Sequence, residues 1–178
     1  MPGATVSRRP IIIAVIAGVV AVAALAYFIG RDFFQTPKPS TKTVDIFFGS
    51  LKSDTLERER RDIPAGGVES EAAEVLRALI EGSRHGLVGV MPEGTRLLSL
   101  KIEAGTATAD FSRALVEKHW GGSASELLTV YGIVNSLAMN FPEIKNVQIL
   151  VEGERVETIS GHIMINIPLG ADPDMIGK

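Results

Sequence analysis

At 178 residues, with 18 basic and 21 acidic side chains, a net charge of −3 and no cysteine, the chain has room for one domain of ordinary size beside any anchor. Its first 31 residues carry Arg8, Arg9 and Arg31 and no acid, so removing those three cations leaves −6 on the remainder, which lacks the Lys/Arg field that binding of nucleic acid requires. The absence of cysteine removes disulfides, thiolate metal sites and thiol nucleophiles together.

From Ile11 to Ile29 no charged or strongly polar side chain interrupts the chain. These 19 residues, at about 1.5 Å rise each, span roughly 28 Å against a hydrocarbon core of about 30 Å. Residues 11–29 are therefore expected to form one transmembrane signal anchor. Arg8 and Arg9 precede it and Asp32 offsets Arg31, so the positive-inside rule places residues 1–10 in the cytoplasm. The rest of the chain then lies outside a bacterial cytoplasmic membrane. A cleaved signal peptide is the competing reading, because Ala24-Leu25-Ala26 has the small-x-small form of a cleavage site. Against it, the apolar run exceeds the usual h-region of about 7 to 15 residues and continues through Tyr27, Phe28 and Ile29.

Residues 30–43 form a linker, with Pro, Ser, Thr and Lys concentrated between Gln35 and Thr43. A domain over 44–169 follows. Val44, Ile46 and Phe48 share one face of an opening strand. The charged run from Thr55 to Ile63 suits an edge strand whose exposed charges oppose aggregation, or a solvated loop. After Gly66-Gly67, the residues Val68, Ala72, Val75, Leu76, Leu79 and Ile80 recur at helical spacing, and Gly82 stops the helix. Leu98, Leu100 and Ile102 alternate with polar residues before Ala104-Gly105, and Ala107, Ala109 and Phe111 line one side of the returning strand of a hairpin. Ser123 and Glu126 have the spacing of a capping box opening a second helix, whose stripe is Leu127, Leu128, Tyr131, Val134, Leu137, Ala138 and Phe141. Val147, Ile149 and Val151 make a further strand that turns at Gly153 towards Val156 and Ile159. Residues 170–178 read as a frayed tail. This order predicts an α+β fold: a two-layer sandwich of one antiparallel or mixed sheet with two helices on one face, preceded by one transmembrane helix.

Several of these segments resemble the GerMN domain of sporulation and germination proteins. They are Leu56-x-x-Glu59-x-Arg61, Met91-Pro92-Glu93-Gly94-Thr95-Arg96-Leu97-Leu98 and Gly105-Thr106-Ala107-Thr108-Ala109-Asp110-Phe111-Ser112, followed by Ile133-Val134-Asn135-Ser136-Leu137, Phe141-Pro142-Glu143-Ile144-Lys145-Asn146-Val147 and Val151-Glu152-Gly153. The resemblance covers roughly residues 43–169. It implies an extracytoplasmic domain tethered to membrane or envelope, similar in layout to ring-building modules, with no catalytic residues to carry over.

Chemistry-bearing residues point the same way. Asp110 and Ser112 suit the end of a strand and the start of a turn. Gly121-Gly122-Ser123-Ala124-Ser125 lacks the last glycine of a nucleophile elbow. Gly89 to Thr95 lacks the lysine of a phosphate loop. His85, His119 and His162 have no metal-ligand spacing, and neither metal nor cofactor is expected. The segment around His119 and Trp120, which holds the one tryptophan in a glycine-bounded loop, is the candidate partner contact; the alternative is that Trp120 lids the core. The expected activity is non-catalytic binding or assembly, acting on another envelope protein or by self-association. Recognition of a cell-wall glycan or peptide is the alternative, and a cell-wall hydrolase a further one.

Overall fold

The computed structural model describes residues 18, 20, 23–27 and 40–177. The chain divides into two compact units, Met1–Pro39 and Ser40–Lys178. In the first, Gly18, Val20 and residues 23–27 are helical and exposed. Among the described residues no helix is long and apolar enough to cross a membrane. Most of the expected span 11–29, and residues 30–39 of the linker, lie outside them.

The second unit is α+β. Its elements are β1 (Thr41–Gly49), β2 (Leu56–Pro64), α1 (Val68–Glu81), β3 (Leu97–Glu103), β4 (Thr106–Phe111), the single turn α2 (Ala114–Glu117), α3 (Ser123–Ala138), β5 (Asn146–Val151) and a 3-10 turn at Pro173–Met175. The expected single sheet is two sheets. β1 and β2 pair antiparallel, and β3, β4 and β5 form the other sheet, with β3–β4 antiparallel and β4–β5 parallel. Helix α1 packs on β1, β2 and β3, and α3 on β1 and β5, so neither lies on one face of one sheet.

Side chains of α3 occupy the edge of β1 that a further strand would need. The Asn140 amide, just past the helix end, accepts the N–H of Asp45 (2.8 Å) and donates to its carbonyl, imitating a neighbouring backbone, and Ser136 Oγ accepts the Phe47 N–H (3.0 Å). Gly49 and Val88 exchange both main-chain bonds at the end of the same edge. The close approach requires Gly132: a Cβ there would sit 2.8 Å from Val90 Cγ2 and 3.3 Å from the Phe47 carbonyl.

The charged run forms β2, but its charges divide by face. Leu56, Glu59, Arg61 and Ile63 are buried, whereas Arg58, Arg60 and Asp62 are exposed. Glu59 Oε1 receives Arg61 Nε at 2.6 Å, Ser83 Oγ donates to Oε2 at 2.6 Å, and the N–H groups of Arg84 and His85 donate to the same carboxylate. Arg61 donates onward to the carbonyls of Ala78 and Gly82 and to Glu81. Its guanidinium also lies 5.4 Å from the centre of the Phe48 ring. Arg61 thus caps the carbonyl end of α1, and Glu59 caps the amides that follow it.

Four further expectations need correction. Leu98 does not share a face with Leu100 and Ile102: the ladder slips between Leu97 and Ser99, so Leu98 bulges outward and Leu97 takes its place opposite Phe111. The stripe of α3 is wider than its apolar spacing suggested, because Val130 and Ile133 are fully buried and Thr129, Asn135 and Ser136 are buried with hydrogen-bonding roles. Residues 170–177 are docked rather than frayed. The Asn135 amide exchanges two bonds with Asp172 (2.8 and 2.9 Å), and the Gly177 N–H donates to the Leu56 carbonyl. Among the described residues no strand follows Val151; a single bridge to Glu154 closes the turn.

Burial pushes the Glu59 carboxyl up, but hydrogen bonds from Ser83, Arg61 and Arg84, with the Arg61 charge, outweigh it and hold the group at about 2, against an ordinary 4.5. Because the folded value is the lower one, its contribution is complete above pH 4.5 and is lost as pH falls from 4.5 towards 2. Denaturant unfolding measured across that window should show this group removing about 3 kcal/mol of stability. Glu59→Gln should flatten that share of the acid slope, and an unchanged slope in the variant would contradict the assignment.

Candidate interaction surface

The surface lies at the N-terminal end of α3. After α2 the chain turns through Gly121 and Gly122, whose φ angles of +79° and +88° lie in the region that L side chains avoid. The turn leaves His119 and Trp120 projecting beside the helix. His119 Nδ1 accepts the Gly121 N–H at 3.1 Å, so in the neutral ring Nε2 carries the hydrogen and donates to Thr129 Oγ1 at 3.2 Å. Thr129 passes its own hydrogen to the Val90 carbonyl at 2.6 Å. Burial lowers the imidazole pKa, opposed by the Glu126 charge and a bond with the Ser125 backbone, and the net direction is down.

Trp120 stacks on this fixed ring, with centroids 5.2 Å apart and planes 13° from parallel. The indole is 54% exposed, so it does not lid the core. A large amphipathic ring is thus presented to solvent on a support held by three successive hydrogen bonds.

Glu126 does not close a capping box. The N-cap of α3 is Gly122, Ser123 makes no capping bond, and the Glu126 carboxylate is fully buried. It turns instead to the irregular segment after β5, accepting the N–H groups of Ile159 (2.9 Å), Ser160 (2.8 Å) and His162 (2.8 Å) and meeting His162 Nδ1 at 3.0 Å. Those amides have no strand or helix partner, so the carboxylate supplies the acceptor that secondary structure would otherwise provide. Burial raises its pKa, but the amide and imidazole bonds outweigh it, and the net direction is down, which keeps it ionised at neutral pH. Sequence spacing did not reveal this role, since S-x-x-E before an apolar run has the same form whether the Glu turns back or across.

The other candidates hold structure together. Asp110 Oδ1 accepts the Gly153 N–H at 2.9 Å, and Ser112 Oγ accepts that of Arg96 at 3.0 Å. The 89–95 loop closes with Thr95 N–H on the Pro92 carbonyl, Gly94 taking φ +79°. His119 bonds Thr129 and His162 bonds Glu126, both in the N-terminal half of α3, whereas His85 belongs to the Glu59 cluster. Among the described residues no three metal-ligating side chains converge.

The family model described as Germane, sporulation and spore germination, matches residues 45–157, well over half of the chain. The chain belongs to the Germane family. Among solved structures, this Germane domain is similar to a protein of Clostridium perfringens described as a candidate lipoprotein, at 27% identity and TM-score 0.54, with 74% of this chain and 88% of that one covered. It also matches the tandem GerMN domains of the sporulation protein GerM from Bacillus subtilis, at 21% identity and TM-score 0.56, over 75% of this chain and 46% of the tandem. The first GerMN domain of that protein matches at 20% identity and TM-score 0.54, over 75% of this chain and 99% of the domain. The GerM likenesses establish the shared fold, as the sequence motifs implied. No curated protein sequence matches significantly.

The different roles of Ser123 and Glu126 separate in a stability measurement. A true N-cap serine costs about 1 kcal/mol when cut to alanine, so Ser123→Ala should stay within about 0.5 kcal/mol of the parent. Glu126→Gln, which leaves buried amides short of acceptors, should cost about 1–3 kcal/mol. Urea unfolding of both variants checks the pair, and equal losses would restore the capping box.

Proposed function

We propose that this Germane domain is a non-catalytic binding or assembly module, anchored to a bacterial cytoplasmic membrane through residues 11–29 and acting outside it on another envelope protein or on a second copy of itself. The observation that carries the reading is Trp120, 54% exposed yet stacked on a hydrogen-bonded His119. A rigid aromatic ring of this kind loses little conformational freedom on binding and removes much apolar area from water, which is why such residues anchor interfaces. The likeness to a candidate lipoprotein supports an envelope location, and the apolar run with its preceding arginines supports the topology. The same exposed ring favours a second reading, stacking against the sugar of a cell-wall glycan.

Topology and contact are tested on one set of strains. With Ser7→Cys and Lys52→Cys introduced singly into the cysteine-free chain, a membrane-impermeant maleimide applied to intact spheroplasts should label position 52 and spare position 7. The reverse pattern would overturn the orientation, and a mature N-terminus beyond residue 26 would replace the anchor with a cleaved signal. Trp120→Ala should lower cross-linking to an envelope protein or a second copy by roughly thirtyfold, equivalent to about 2 kcal/mol, while shifting unfolding free energy by less than about 1 kcal/mol. Loss of sedimentation with purified cell wall, at unchanged cross-linking, would move the assignment to the glycan.

A further inference from the structure

A strand edge is a row of unpaired donors and acceptors, and proteins usually block it. Two sheets present four such edges. That of β1 is closed by Asn140, Ser136 and Val88. On β2, Leu56 pairs with the C-terminal segment at Ile176, after which the edge carries Arg58, Arg60 and Asp62 and ends on Pro64. On β5, Val147 pairs with Leu169 and Val151 with Glu154.

The edge of β3 is different. Ala104 and Gly105, both at positive φ, form a two-residue turn between the paired Glu103 and Thr106. Such a turn closes on a hydrogen-bonded pair, so Lys101 and Ser99 bond to β4 while the main-chain groups of Ile102 and Leu100 face outward. The Ile102 N–H confirms the phase: it donates 3.1 Å to Glu69 Oε2, a carboxylate standing where the carbonyl of a neighbouring strand would be. Beyond it, between β3 and α1, runs a groove of about 260 Å³ with Ala73 and Leu100 in its lining and Arg77 on its wall. Leu98, displaced by the bulge, borders it 48% exposed.

We propose that this groove is a docking site for an extended peptide segment of a partner protein, added as a further strand beside β3 and hydrogen-bonded to the main chain of Leu100. The charges select the segment. Glu69 and Arg77 are eight positions apart on α1, about 12 Å at 1.5 Å per residue. In an extended chain residues i and i+4 share a face and lie about 13 Å apart. The complementary segment therefore carries a basic residue, an apolar residue two positions on that packs against Leu98 and Ala73, and an acidic residue two positions further. Arg77, with a side chain 59% exposed and one bond to Glu74, keeps donors free for that acid. The groove does not involve His119 or Trp120, so it and the reading of Trp120 stand or fall separately.

The probes are the blocked peptides Thr-Lys-Thr-Val-Thr-Glu-Thr and Thr-Lys-Thr-Val-Thr-Lys-Thr, titrated into the full-length chain in detergent micelles and followed by amide hydrogen exchange. The Glu-containing peptide should slow exchange at Leu100 by about tenfold near saturation. It should leave Lys101, already bonded to β4, unchanged. Arg77→Glu should weaken that peptide roughly threefold and strengthen the Lys-containing one by a similar factor, the size of one exposed ion pair. Unchanged exchange at Leu100 at millimolar peptide, or an Arg77→Glu effect of the same sign on both peptides, would overturn the proposal. Protection of Leu100 in a dimer without added peptide would overturn it too, by giving the edge to a second copy.

Discussion

Glu59 and Arg61, two residues apart on β2, are buried together against the end of α1, with side chains 1% and 4% exposed. Removing two charges from water costs several kcal/mol per ion, which is recovered only where the remaining hydrogen-bonding positions are also filled. Here they are: the carboxylate meets a guanidinium, a hydroxyl and two main-chain amides, and the guanidinium reaches two helix-end carbonyls and a second carboxylate. The constraint fixes register as well as stability. A one-residue slip of β2 would turn Arg58, Arg60 and Asp62 inward, where no such set of partners waits.

The Trp120 surface depends on this clamp through a traceable sequence of contacts. Ser83, bonded to Glu59, also accepts the N–H groups of His85 and Leu87 and so shapes the chain leaving α1. That chain reaches the edge of β1 at Val88 and presents the Val90 carbonyl to Thr129, whose hydroxyl receives His119, on which Trp120 stacks. Three residues before Thr129 on α3, Glu126 gathers the amides of Ile159, Ser160 and His162. Two buried carboxylates therefore order the two irregular segments that flank the exposed ring, each acting as a substitute for missing secondary structure.

The elements whose burial repeats at a fixed period were legible from sequence. Val44, Ile46 and Phe48 on β1, the Val68–Glu81 helix and the Ala107–Ala109–Phe111 face of β4 all lie where their spacing placed them. The resemblance to GerMN domains also held, and the structure gives physical content to its motifs. Leu56, Glu59 and Arg61 are the clamp with its apolar neighbour, and Asn135 and Ser136 hold the C-terminal segment and the edge of β1. What the sequence did not show follows from partners distant along the chain. Glu126 and Ile159 are 33 positions apart, and Asn140 and Asp45 are 95. No local pattern distinguishes a Glu that caps its own helix from one that reaches across, nor an Asn that ends a helix from one that imitates a strand. The division into two sheets was hidden for the same reason, and the bulge at Leu98 because both Leu97 and Leu98 fit the inward face.

A double-mutant cycle on Glu59→Gln and Arg61→Met tests most directly whether the pair acts as one unit that holds β2 to α1. Each single change leaves a buried charge without its partner and should cost about 3–5 kcal/mol of unfolding free energy. The double variant should lose far less than the sum, with a coupling of about 2 kcal/mol or more. Additive losses, or single losses below about 1 kcal/mol, would contradict the dependence of this fold on the pair.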